Sequence, residues 1–146
     1  MEATTEDITL ATELRTVLSR LIKKLRNKSV ASGGLSLTER STMALLDQYK
    51  QLLPNEMAAM EKITTQSMSQ VLNHLAELGY INRKPSPNDG RKIIVSLSKA
   101  GQDVLYKARN ERDEWLGRAI AETCTAKEQE LLRRVMVPLA KLVDYE

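Results

Sequence analysis

Residues 54–101 read PNEMAAMEKITTQSMSQVLNHLAELGYINRKPSPNDGRKIIVSLSKAG, and the change of hydrophobic period inside this stretch decides the fold. Pro54 suits the first position of a helix, where its missing N–H has no intrahelical partner to lose. Glu56 in the same turn complements the positive end of the helix dipole. A short helix from Pro54 to about Glu61 is predicted, with Ile63 and Thr64 making the turn that follows. Thr64 can cap a second helix in which Met68, Val71, Leu72, Leu75 and Leu78 form one apolar stripe, ending at Gly79. From Tyr80 onward the helical period is lost. Tyr80 to Lys84, the turn-rich segment Pro85 to Gly90, and the β-branched run Ile93-Ile94-Val95 within Arg91 to Leu97 predict a β-hairpin, the one sheet signal in the chain.

Helices are predicted on both sides of this unit. Upstream, Thr38 can cap a helix that buries Met43, Leu45, Leu46 and Tyr49. Before it, Leu14, Val17, Leu18, Leu21, Ile22 and Leu25 repeat at helical spacing from Ile8 to Leu25. Thr4 and Asp7 make a capping box ahead of that helix, and Gly33-Gly34 breaks the chain after it. Its other face holds Arg15, Arg20, Lys23, Lys24, Arg26 and Lys28 and reads as solvated. Downstream, Ser98 can cap a long helix to about Thr123, with Val104, Leu105, Ala108, Trp115, Leu116, Ala119 and Ile120 as its inward positions. Thr125 and Glu128 open a last helix whose face of Leu131, Leu132, Val135, Met136, Leu139, Leu142 and Val143 needs a partner, and Pro138 should kink it.

Composition agrees with a mainly α protein carrying a small β-hairpin wing. With no Phe, one Trp and four Tyr among 146 residues, the core must come from Leu, Ile, Val, Met and Ala, which helices accommodate readily. This length suits one domain, residues 1–146. No apolar run reaches the roughly 20 residues that span a bilayer, and the acidic start Glu2 to Asp7 lacks a signal peptide's basic region, so no membrane partner is expected. One cysteine, Cys124, and one histidine, His74, are too few for a disulfide or a structural zinc site. A reducing cytoplasm is expected, with neither metal nor cofactor. A net charge of +3 permits an acidic partner without requiring one, so the placement of charge matters more than its sum.

If Met68, Val71, Leu72 and Leu75 face inward, Thr65, Gln66, Ser69, Gln70 and Asn73 face outward, and none of these five is charged. Short hydroxyls and amides suit base edges, and Gln or Asn can bond adenine with two hydrogen bonds. With Thr64 and Ser67 at the helix entry, they are the candidate DNA-reading residues. The same face could also be a plain solvated surface. The hairpin places Arg83 and Lys84 on its first strand and Arg91 and Lys92 at the start of its second, opposed only by Asp89. Arginine at such a tip can enter a minor groove or bind phosphate, with Asp89 fixing the direction of Arg91; a solubilising turn is the other reading. His74 either reaches phosphate or sits at the surface.

Glu56-Met57-Ala58, Gln66-Ser67-Met68-Ser69, Leu75-Ala76-Glu77-Leu78-Gly79-Tyr80-Ile81, and Asp89-Gly90-Arg91 leading to Val95-Ser96-Leu97-Ser98-Lys99-Ala100-Gly101 together resemble the multiple antibiotic resistance regulator (MarR) family. The wing pattern is the most specific part, and the resemblance covers nearly the whole chain. It implies a winged helix-turn-helix over residues 36–98 and a helical dimerisation region formed by 5–32 and 99–146. It further implies a homodimer on double-stranded DNA, reading a near-palindrome with half-sites about 10 bp apart and blocking transcription. In many relatives a small aromatic or anionic molecule bound between the dimer helices and the reading head ends that binding. One departure is Glu61-Lys62-Ile63-Thr64, where many relatives have glycine before the apolar residue. Some relatives sense peroxide through an N-terminal cysteine; Cys124 falls late in the chain, at a helix junction.

An enzyme would need a nucleophile with its base, or a metal set, and His74 and Cys124 offer neither. The rival from another class is a winged-helix protein-interaction module. That function would favour apolar or aromatic anchors on the second helix, where Gln66, Ser69, Gln70 and Asn73 stand instead.

Overall fold

The computed structural model describes residues 1–146. The elements are α1 (Thr5–Arg26), α2 (Leu37–Tyr49), α3 (Pro54–Glu61), α4 (Thr65–Glu77), β1 (Ile81–Pro85), β2 (Ile93–Leu97), α5 (Lys99–Thr123) and α6 (Ala126–Val143). Two compact units result, one of residues 29–110 and one made of 1–28 with 111–146.

The first unit contains the core. Met43 and Leu46 of α2, Met57 of α3, Met68, Leu72 and Leu75 of α4, and Val95 of β2 are all buried. Each such side chain contributes on the order of 1.5–3 kcal/mol through burial. The hairpin is antiparallel, with Ile81 opposite Leu97 and Arg83 opposite Val95. On β2 the alternation puts Val95 and Leu97 inward, and on β1 Arg83 and Lys84 are both exposed. A third, very short strand joins it: Leu52 and Val95 exchange both backbone hydrogen bonds, at 3.1 and 2.9 Å. The chain reaches that pairing through a tight turn centred on Lys50 (φ 68°, ψ −49°), in which the Gln51 N–H donates to the Tyr49 carbonyl at 2.8 Å.

α2 begins two residues earlier than expected. Ser36, not Thr38, is its cap: the Ser36 hydroxyl accepts from the Glu39 N–H at 3.1 Å, and the Glu39 carboxylate accepts from the Ser36 N–H at 2.8 Å. Tyr49 and Leu78, expected inside, are exposed because each lies at a helix end beyond the core. Arg91 and Lys92 sit in the turn before β2, which starts at Ile93.

In the second unit α1 and α6 are capped by the boxes read from sequence, Thr4 with Asp7 and Thr125 with Glu128. Neither helix contains a buried residue. Of the positions expected inside, Leu14, Leu18, Leu21, Leu25, Trp115, Leu116, Ala119, Ile120, Val135 and Leu139 are half-buried. Val17, Ile22, Leu131, Leu132, Met136, Leu142 and Val143 are exposed, since no element of the single chain covers them. Pro138 lies inside α6 without ending it. No helix is long and apolar enough to cross a membrane.

Candidate nucleic-acid interface

The turn into α4 is built by a left-handed residue. Lys62 (φ 54°, ψ 44°) closes α3, and the Ile63 N–H then donates to the Ala58 carbonyl at 3.0 Å. This is the conformation that glycine adopts without steric cost, so lysine supports the same geometry at some strain. Thr64 follows as the cap of α4. Its hydroxyl accepts from the Ser67 N–H at 3.0 Å and donates to the Ser67 hydroxyl oxygen at 2.9 Å. Thr64 and Ser67 are therefore engaged with each other at the helix entry.

Met68, Leu72 and Leu75 anchor α4 on the core, and Thr65, Gln66, Ser69, Gln70 and Asn73 are exposed along it. The Ser69 hydroxyl donates back to the Thr65 carbonyl at 3.0 Å. Asn73 is tied to the wing: its Oδ1 accepts from Arg83 Nη1 at 2.9 Å. At the other end Gly79 (φ 78°) turns the chain, with the Tyr80 N–H bonded to the Leu75 carbonyl at 2.9 Å. Ser98 fastens this turn to α5, donating its hydroxyl to the Gly79 carbonyl and its N–H to the Tyr80 carbonyl at 3.0 Å. The Ser98 hydroxyl also accepts from the Gly101 N–H at 3.0 Å, capping α5 as read from sequence.

In the wing, Asp89 Oδ1 accepts from both the backbone N–H and Nε of Arg91, at 3.1 and 3.3 Å, while the Arg91 side chain remains 91% exposed. The arginine is thus aimed by Asp89 and left open to solvent. Lys84 and Lys92 are also exposed. Arg91 and Lys92 meet Thr65, Ser69 and Asn55 around a cleft of about 350 Å³. Two cations and short polar groups beside the N-terminal ends of α3 and α4 make this cleft suited to a phosphate.

Two further contacts that escaped sequence reading join residues far apart in the chain. His74 is neither free nor wholly on the surface: Nδ1 pairs with the Glu39 carboxylate, linking α4 to α2. Burial pushes the Glu39 carboxyl up, but the Ser36 N–H and the His74 contact outweigh it and hold the group below its ordinary value. Asp47 of α2 accepts from the Tyr106 hydroxyl at 2.8 Å and from Arg109 Nη1 at 2.9 Å, both in the first half of α5. Those two hydrogen bonds, Tyr106 foremost, hold its carboxyl low. No cluster of His, Cys, Asp and Glu is arranged to hold a metal ion.

The sequence profile of the MarR family matches residues 33–92. An HTH-type transcriptional regulator of Mycobacterium bovis is 33% identical over 138 residues, covering 94% of this chain and 95% of that protein. The crystal structure of a Pseudomonas aeruginosa PA01 protein described as a transcriptional regulator superposes with a TM-score of 0.88 at 29% identity, over 99% of this chain and 100% of that one. A Staphylococcus aureus MepR mutant bound to an oligodeoxyribonucleotide shares the fold, with a TM-score of 0.71 at 17% identity over 97% and 99% of the two chains.

Proposed function

The chain belongs to the MarR family of DNA-binding transcriptional regulators, and from that premise we propose that it is a cytoplasmic repressor that binds a near-palindromic operator as a homodimer. The observation that supports this best is the pairing of an uncharged reading face on α4, Thr65 to Asn73, with a wing that presents Arg83, Lys84, Arg91 and Lys92. Amides and hydroxyls on α4 suit base edges in a major groove, and the wing cations suit the phosphate backbone. The winged helix-turn-helix of residues 36–98 is the reading head in this account, and residues 5–32 and 99–146 join the subunits.

The dimer is supported by the helical unit. No residue of 1–28 or 111–146 is buried in the single chain, yet Ile8, Val17, Leu131, Met136 and Val143 lie exposed there. Apolar faces of that extent call for a partner, and a second copy supplies one by two-fold symmetry. A small aromatic or anionic effector completes the proposal. Lys24 and Lys28 place their ammonium groups 5.5 and 5.1 Å from the Trp115 ring centroid, so an anionic group would find two cations beside an aromatic ring.

Sedimentation equilibrium combined with footprinting on upstream DNA tests this reading. A mass twice the 16.4 kDa of the chain and two protected half-sites about 10 bp apart are expected. A monomer, or a single unpaired footprint, would overturn it.

A further inference from the structure

The exposed polar residues of α4 are not equivalent, and their hydrogen bonds divide them. We propose that Gln66 and Gln70 are the base-reading pair, each facing an adenine in the half-site, whereas Asn73 is a positioning residue that holds Arg83 for the DNA backbone. This rests on the DNA-reading role of α4 proposed above.

Bonding adenine through both its N6 amino group and N7 requires a carboxamide whose oxygen and nitrogen are both available. Gln66 and Gln70 meet that requirement: both are exposed, and neither amide is engaged within the chain. They lie four residues apart on one face, about 6 Å along the helix axis, which corresponds to about two base steps of 3.4 Å. Asn73 is placed differently: its Oδ1 already accepts a charge-assisted hydrogen bond from Arg83 at 2.9 Å, which spends one of the oxygen's two lone pairs and fixes the carboxamide toward the wing. Turning that carboxamide onto an adenine would compete with the contact that holds Arg83.

The hydroxyl residues are also accounted for. Thr64 and Ser67 satisfy each other at the helix cap. Ser69 has committed its one proton to the Thr65 carbonyl, and Ser69 and Thr65 both border the cleft with Arg91 and Lys92. That row of α4 faces the phosphate side of the interface. The glutamine row is the one left for the floor of the groove.

The test is selection from randomised duplex DNA with the full-length wild type and with Gln66→Glu, Gln70→Glu and Asn73→Ala, each checked by thermal melting. Glutamate accepts from the cytosine amino group and cannot donate to adenine N7. Base preference at each position is therefore the readout, rather than affinity, which the added charge lowers in any case. The wild type is expected to enrich adenine at two positions per half-site about two base pairs apart. Each Glu variant should move its own position to cytosine with a preference of about 10-fold. Asn73→Ala should keep the wild-type motif while weakening binding to every sequence. A wild-type motif without those adenines, an unchanged motif in both Glu variants, or a position relaxed by Asn73→Ala would overturn the assignment while leaving site-specific binding intact. Failure of the wild type to enrich any motif would overturn the DNA-reading proposal, and this assignment with it.

Discussion

A Cβ placed on Gly101 would lie 2.1 Å from the carbonyl oxygen of Tyr80. The first turn of α5 is thus packed directly on the backbone that leaves α4, at the point where Ser98 also bonds Gly79 and Tyr80. The clash is with main chain, which cannot swing aside as a flexible side chain can. Gly101→Ala should cost about 3 kcal/mol in urea unfolding, the upper part of the range for overpacking. Gly117→Ala, in the same helix with nothing within 4 Å of the added methyl, should instead stabilise by about 0.5–1 kcal/mol through helix propensity. Equal effects at the two sites would contradict the packing argument.

Asp47 links α2 to α5 through Tyr106 and Arg109, and those contacts lower its carboxyl pKa from 3.8. A lowered folded-state value means the stabilisation is fully present above about pH 3.8 and disappears as pH falls through the lower folded value. Asp47→Asn should therefore reduce Tm at pH 7, and the gap from wild type should close below pH 3.8. A gap that stayed constant across the acid range would show that the carboxylate charge is not its source.

Lys62 holds a left-handed conformation at the turn into α4. Lys62→Gly should remove that strain and raise stability by about 0.5–1 kcal/mol, net of the greater freedom glycine gives the unfolded chain. Differential scanning calorimetry would register this as a higher Tm, and a lower Tm would mean that the lysine side chain contributes contacts that outweigh the backbone term.

Thr42 is 0% exposed and its hydroxyl has no hydrogen-bond partner. A buried hydroxyl left in this state costs about 1–3 kcal/mol of desolvation. Thr42→Val keeps the branched shape and removes the polar atom, so chemical denaturation should show a gain of about 1 kcal/mol. A loss would imply a partner that the hydroxyl finds in solution.

The elements of this fold are legible in the sequence where local chemistry decides them. Pro54 opening α3, Thr64 capping α4, Gly79 ending it and Ser98 capping α5 each act within a few residues. Ser36 and Thr38 are both competent caps, and what selects Ser36 is the return of the Glu39 carboxylate to its N–H. The sequence contained that box, but hydrophobic spacing alone did not favour it. Asn73 with Arg83, His74 with Glu39, and Leu52 with Val95 were not legible, because each depends on how elements separated in sequence meet. The outward face of α4 could be read from its 3.6-residue period. The division of labour within that face could not, since it follows from hydrogen bonds that exist only once the wing is in place.

Equilibrium binding of the purified protein to DNA upstream of its own gene, titrated with salt and competitor DNA, for the wild type, Arg91→Ala and Gln66→Ala, separates a DNA reader from a winged helix that docks proteins. Saturable, sequence-selective binding that weakens steeply with salt is expected. Each phosphate neutralised should contribute about −0.9 to the slope of log K against log salt. Arg91→Ala should reduce that slope and weaken all sequences alike, whereas Gln66→Ala should mainly reduce discrimination between target and competitor. No binding at low salt, or binding indifferent to both substitutions, would rule out a DNA-reading α4 and wing and favour a winged helix that docks proteins.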